Sequence, residues 1–502
     1  MGYFISKHKF LKQHALAVSM LIIHACSIAV IVNFLSVAPD AADHWVWSRI
    51  LFNGYLEHPP MVAWILHYFD LLFADPVTSV KVLPILMCAS TYFILYLAVV
   101  QLFSIRVALI FLVILLSSPY FFTFSLLYHI TTPMMLFFAI SIWLIAKMVS
   151  TDPATSHAKQ YNYLLYIGLF LGLAFLSKIL IVFVYMALGL FFISNRKQHH
   201  YFAHWQTYAA PLVSLVVIIP YILWNIETEW MSFIYQFNRG ISSSFNLDGP
   251  AWYLLGQFSF GILMVPVMLY LACKRSFWIN CTGANSLAIF WLALFIVPFV
   301  LFLYSSASGG HLDVQWLNMG YVGLFIMSAD FLSRSMTKQR LYKLLAGALI
   351  INLVFIGLLV SHTLFRSFSG LLEAQKDGSQ HVIAWEETAR GVSSLFKTNN
   401  LEVPEIIVIR RYNQGGALSL YMENHPLPFS TDKPQRNQWI EPGALQATDR
   451  IALICTLKLC PVEIIFAEQL TGKQMHFLGK VTTKNPHSQE IIRTYNVYVP
   501  SQ

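Results

Sequence analysis

The sequence predicts a polytopic α-helical membrane protein that ends in a small extracytoplasmic α/β domain. Of its 502 residues, 57% are hydrophobic and only 11% charged, against roughly 25% charged in a soluble domain. Apolar runs of bilayer length, about 17 to 25 residues at helical rise, recur between residues 14 and 362 and then stop. The basic residues also segregate onto alternate loops, as they do in chains with a fixed membrane orientation.

Eleven spans are expected, at 14–37, 80–103, 106–123, 132–149, 163–177, 179–194, 206–225, 252–271, 286–305, 317–333 and 342–362. The first is longer than the roughly 7 to 15 residues of a signal-peptide core, which makes it a retained anchor. With the N-terminal Lys7, Lys9 and Lys12 placed inside, the same side receives Arg106, Lys147, Lys159, Arg196, Lys197, Lys274, Arg275, Arg334, Lys338, Arg340 and Lys343. The opposite loops before the tail hold Arg49, Lys81, Lys178 and Arg239. This asymmetry predicts a cytoplasmic N-terminus and an external C-terminal domain. The net charge of +8 thus reflects loop placement, and no nucleic-acid partner is expected.

The division expected is a transmembrane domain over 1–362 and an external α/β domain over 363–502. Within the latter, Trp385–Phe396 and Ala417–Met422 have helical spacing, and Glu405–Ile409, Ile451–Cys455 and Tyr495–Val499 read as strands. Cys26 and Cys88 fall in spans, and Cys273 and Cys281 in a cytoplasmic loop where thiols stay reduced. Cys455 and Cys460 lie in the external domain, where a disulfide can form; the spacing leaves open whether it does. No strand-to-helix GxGxxG or Walker loop occurs, which argues against nucleotide-driven chemistry.

With the topology drawn, polar residues collect on the external side. The first loop, DAADHWVWSRILFNGYLEHPPMVAW, carries Asp40, Asp43, His44, Glu57 and His58. Later loops carry LYHITTP with His129, WNIETEW with Asn225, YQFNRG, and GGHLDVQW with His311 and Trp316. Lys178 interrupts an apolar stretch at an expected external hairpin. A charge near the bilayer core costs about 2.5–3.5 kcal/mol and usually has a partner or a function; a lysine snorkelling from a tight turn is the equal alternative. For the first loop, a structural reading makes Asp40 the N-cap of an interfacial helix ending near Asn53-Gly54, with Pro59 and Pro60 opening a second helix. That accounts for one carboxylate. Several acids held together also bind a divalent cation, or raise one another's pKa until one serves as a base near neutral pH.

The first loop resembles that of the glycosyltransferase family 39 type. This is a bacterial-type branch of the dolichyl-phosphate-mannose protein mannosyltransferase-like enzymes, related to the lipid A aminoarabinose transferase. The matching residues are Asp40, Ala42, Trp45, Trp47, Ser48, Leu51, Gly54, Tyr55, His58, Pro59, Pro60 and Met61. The resemblance continues in GLFLGLAFLSK (168–178), PYILWNIETEWMSFIYQFNR (220–239), Trp316 and RRYNQGGALSLYM (410–422). It implies a GT-C fold and a membrane glycosyltransferase in the bacterial inner membrane, with its site on the periplasmic face. The donor implied is a sugar on polyprenyl phosphate, in bacteria undecaprenyl phosphate; the acceptor is left open between lipid A, another glycan and a protein. Asp40 is the implied base or acceptor-orienting residue, with Asp43 and Glu57 as further catalytic carboxylates. Lys178 and Arg49 would meet the donor phosphate, and His44, Tyr55, His58, His129, Asn225 and Trp316 the substrates. Glu57 and His58 are the candidate ligands should a divalent metal cation be used.

The chain departs from the family pattern at Ala41, at Asp43-His44 in place of a tyrosine pair, and at Met134 after Thr132-Pro133, where the family has an aspartate. Asp43 can replace the missing partner, since positions three apart share a helix face, with His129 or His311 supplementing it. Two other readings compete with an active transferase. One is a non-catalytic relative that binds or flips lipid-linked saccharides. The other is a secondary transporter, which would place charges near the midplane; here they sit at span ends, with Asp70, His67 and Asp330 read as interfacial.

Overall fold

The computed structural model describes residues 2–151, 157–240, 248–261, 287–310, 313–370, 373–441 and 443–501, with side chains from residue 12 onward and, after the first gap, from residue 160. The expected span 252–271 beyond residue 261, Cys273, Cys281 and His311 lie outside the described residues. Six described helices are long and apolar enough to cross a bilayer: Lys12–Val32, Pro76–Leu102, Thr131–Ser150, Trp205–Glu227, Ala288–Ala307 and Lys338–Phe365. A seventh span is reached if Ile179–Ser194 and Arg196–Ala203, bent by 106°, count as one. The other expected spans are shorter or interrupted. Span 106–123 divides into Ile105–Ser117 and Pro119–Phe124, because Pro119 has no N–H to continue the first helix and suits the first turn of the next. Span 163–177 forms Gln160–Phe175 at the end of a longer helix, and span 317–333 forms Asn318–Ser335. Gly168 lets one of these pack tightly: a Cβ there would stand 2.2 Å from the Ala210 carbonyl on the Trp205–Glu227 helix.

The first loop folds as two short helices, Pro39–Arg49 and Met61–Asp70. Asp40 does not cap the first of them. Ala38 is the N-cap, Pro39 opens the helix, and no side chain closes it, which leaves the Asp40 carboxylate available. The turn between the helices is built by residues of the family pattern. Tyr55 stacks on Trp47 with centroids 4.4 Å apart, and its hydroxyl donates to the Trp47 carbonyl at 3.0 Å. Gly54 lies flat against the Trp224 ring, where a Cβ would come within 2.2 Å.

The C-terminal domain has a five-stranded sheet in the order β2-β1-β3-β5-β4. The strands are β1 Ile406–Ile409, β2 Leu427–Ser430, β3 Ile451–Cys455, β4 Met475–Lys484 and β5 Ile491–Pro500. β2, β1 and β3 are parallel; β5 and β4 are antiparallel additions. The expected helices appear as Trp385–Thr398 and Tyr412–Tyr421, whereas β2, β4 and the helix Cys460–Thr471 were not expected. Cys455 and Cys460 are disulfide-bonded, joining the end of β3 to the start of that helix.

This domain is clamped onto the first loop. The Tyr412–Tyr421 helix packs against Pro39–Arg49, and one apolar core runs from Trp45 and Trp47 through Ala417 and Leu418 to Ile407. The Tyr421 hydroxyl accepts from the Val37 amide at 2.8 Å. Gly416 makes the closest approach: a Cβ there would sit 2.7 Å from both Cα and N of Asp43. Gly416→Val must therefore part the two helices, at a cost of about 1–3 kcal/mol for overpacking. A lower thermal midpoint of the purified protein is expected; an unchanged midpoint would refute the contact.

Candidate active site

Where the first loop, the later loops on the same side and the C-terminal domain meet, they enclose a cavity of about 710 Å3. One part of its wall is polar, with Asp40, Asp43, His44, Glu57, His58, His129, Lys178, Arg239, Asp313, Tyr412, Asn413 and Arg436; another is apolar, with Ile179, Leu180, Phe233, Phe237, Leu301, Phe302 and Trp316. The Pro39–Arg49 helix presents Asp40, Asp43 and His44 together because residues three and four apart share a face.

Most charges in this wall are paired. Arg239 Nη2 meets Asp313 Oδ2 at 3.0 Å. Arg436 Nη2 lies between two carboxylates, 2.8 Å from Asp43 Oδ2 and 3.1 Å from Glu57 Oε2. Lys433 Nζ stands 2.7 Å from Glu57 Oε1, which also accepts from the Tyr235 hydroxyl at 2.9 Å. Burial disfavours charge on Glu57, but Arg436 and Lys433 outweigh it and hold its pKa down to about 2. Asp43 has only a share of Arg436 and an Oδ1 with no hydrogen-bond partner; burial pushes its pKa up to about 7 against that pull. The histidines are neutral: burial lowers His44 to about 3 and carries His58 and His129 well below the usual imidazole range.

Apart from the neutral histidines and Tyr412, two ionisable residues of the wall make no ion pair among the described residues. Asp40, open to the cavity, accepts a hydrogen bond at Oδ1 from Asn413 Nδ2 at 3.2 Å. The surrounding protein raises its pKa, and the charges of Glu57 and Asp313 act in the same direction. Lys178 is 5% exposed, donates to Thr131 Oγ1 at 3.2 Å and lies 6.0 Å from the Trp316 ring centroid. Burial lowers its pKa to about 8. Its chain enters the cavity wall, so it is no snorkelling lysine.

Other expected residues lie elsewhere. Arg49 is outside the cavity: it packs over Trp45 and donates to the His425 carbonyl at 2.7 Å. It follows Asp40 by two and a half turns at 3.6 residues per turn, which puts it on the opposite helix face. Tyr55 is consumed in building the turn, and Asn225 is buried at the end of its helix, donating to the Tyr221 carbonyl at 2.9 Å. Glu57 and His58 do not fit a metal site, because cations and a hydroxyl already occupy both Glu57 oxygens. Among the described residues, no group of three or more His, Cys, Asp or Glu is placed to hold one.

Sequence reasoning missed Lys433 and Arg436, named Arg239 only in the count of loop charges, and did not single out Tyr235, Tyr412 or Asn413 within the segments it noted. An imbalance was visible, since Asp40, Asp43 and Glu57 lie in one stretch whose own Arg49 faces away. Nothing in TDKPQRN marks Lys433 and Arg436 as the missing cations.

Residues 57–224 match the dolichyl-phosphate-mannose-protein mannosyltransferase family. No curated protein matches the chain. Among solved structures, it is similar to ArnT from Cupriavidus metallidurans in the apo state, with a TM-score of 0.61 at 13% identity over 98% of both chains. It is also similar to ArnT from the same organism bound to undecaprenyl phosphate, with a TM-score of 0.65 at 11% identity over 97% of this chain and 98% of the other. The fold is GT-C. The GT-C assignment bears out the fold expected from the first-loop resemblance, and the likeness extends over nearly the full length, C-terminal domain included. Within this GT-C chain, Asp40 and Lys178 come from two of the stretches that carried the resemblance.

Proposed function

We propose that the chain is a membrane glycosyltransferase that moves a sugar from a polyprenyl phosphate, undecaprenyl phosphate in bacteria, to an acceptor hydroxyl at the external face of the inner membrane. The observation that carries this reading is the charge pairing of the cavity. Among the described residues, once the ion pairs are made, one carboxylate, Asp40, and one buried cation, Lys178, are left facing a space with an apolar flank. Such a wall suits an amphiphile with an anionic head, and an ArnT structure of the same fold is bound to undecaprenyl phosphate.

In the reaction, the acceptor oxygen attacks the anomeric carbon while Asp40 takes its proton. The bond from that carbon to the phosphate oxygen breaks, and the oxygen leaves with the electron pair. Lys178, held in a low-dielectric wall by Thr131, meets the charge gathering on the phosphate. The energy comes from the lipid phosphate leaving group, so no nucleotide is needed. Asp43 and Glu57 are occupied by Arg436 and act through the shape and field of the site, and no step requires a metal.

The test is transfer by the purified protein in liposomes from polyprenyl phosphate donors carrying a hexose, a pentose or an aminosugar. Lipid A, envelope glycan and envelope protein would be offered as acceptors. Mass spectrometry should show one acceptor gaining the sugar with release of an equal amount of polyprenyl phosphate. Failure of every donor to release polyprenyl phosphate would sink the reading.

A further inference from the structure

We infer that Arg436, delivered by the C-terminal domain, is a positioning residue of the transfer site. The inference rests on the transferase reading and goes beyond it by making the external domain part of the catalytic unit. Arg436 is 2% exposed, with its guanidinium carbon 3.4 Å from the Tyr412 ring centroid. Stacking fixes the plane of the guanidinium, and its Nη2 alone ties Asp43 on the first helix of the loop to Glu57 beyond the turn. Two buried carboxylates without this cation would be strongly unfavourable so close together. They would be free to protonate, to separate, or to displace the helix that carries Asp40.

The segment bearing Arg436 is itself built to hold still. Asn437 closes it as a clasp, accepting from the Ser430 amide at 2.8 Å through Oδ1 and donating to the Ser430 carbonyl at 3.0 Å through Nδ2. Lys433 lies inside the same clasp and adds the second cation on Glu57. Asn413, next to the stacking Tyr412, donates to Asp40. The C-terminal domain thus fixes Asp40, Asp43 and Glu57, pairing two and leaving Asp40 ionisable and directed by a neutral amide. The loop's own sequence offers no cation for this, since Arg49 faces away.

The experiment compares steady-state transfer by the wild type, Arg436→Gln, Arg436→Lys and Asn437→Ala in full-length protein, each checked for monodispersity and thermal midpoint. Arg436→Gln is expected to lower kcat by about 100-fold, the scale of an ångström-sized misplacement, with the donor KM within about threefold of wild type. Arg436→Lys should recover part of the loss by neutralising one of the two carboxylates. Asn437→Ala, which removes no charge, should lower kcat more mildly and decides the matter should Arg436→Gln not fold. A kcat within about threefold of wild type in the folded variants, or a loss expressed in KM alone, overturns the inference while the transferase reading stands. A wild type with no transfer removes both.

Discussion

Asp40→Asn is expected to lower the transfer rate by roughly 10²- to 10⁴-fold, the usual worth of a positioned general base. The amide keeps the size of the carboxylate and can still pair with Asn413, so folding and donor affinity should stay near wild type; the loss belongs in kcat. The pH dependence carries a sign that can be checked. A base works ionised, and the protein surrounding the cavity, with the neighbouring charges of Glu57 and Asp313, raises the Asp40 pKa above the ordinary carboxylate value. In the wild type, the rate should therefore fall on acidification at a higher pH than a solvent-exposed aspartate would give, and Asp40→Asn should lack that limb. Initial rates across the pH range decide it, and activity within about tenfold of wild type in the variant would remove Asp40 from the reaction.

Lys178→Ala should act on the other substrate. A hydrogen bond to a charged group contributes about 1.5–3 kcal/mol, equivalent to a roughly 10- to 100-fold weaker hold on the donor phosphate, and more where the charge develops in the transition state. Because burial brings the Lys178 pKa down to about 8, the sign with pH is fixed: below that value the ammonium is present, and above it the free enzyme loses the charge. Affinity for undecaprenyl phosphate should therefore weaken as pH rises past 8 in the wild type. Lys178→Arg, whose guanidinium stays protonated, should show no such decline. Binding titrations at several pH values test both, and a flat wild-type curve would place the phosphate elsewhere.

Asp40, Asp43, His44 and Glu57 could be read as one group from the sequence because they lie in a single loop, and three of them share a helix face. Lys178 stood out as a charge inside an apolar stretch, where its cost demanded a reason. Tyr55 and Asn225 show why resemblance over-assigned: a patterned residue that shapes the loop and one that touches substrate look alike in a motif. Here Tyr55 stacks on Trp47, and Asn225 is buried with its amide nitrogen turned back to its own helix. Arg49 could have been set aside from its helical phase alone. The expected run of spans was legible as apolar length, but Pro119 divided one of them, a break visible in the sequence and passed over in favour of hydropathy.

The sequence by itself determined which segments are apolar, how the basic residues divide among the loops between them, and which short stretches hold ionisable groups. These follow from solvation and from the periodicity of neighbouring residues. The tertiary structure decided which charges remain available. Arg436 neutralises Asp43 across 393 residues of chain, and Coulomb pairing depends on distance in space, of which spacing along the chain carries no record. Only after that pairing is Asp40 distinguished from the acids beside it.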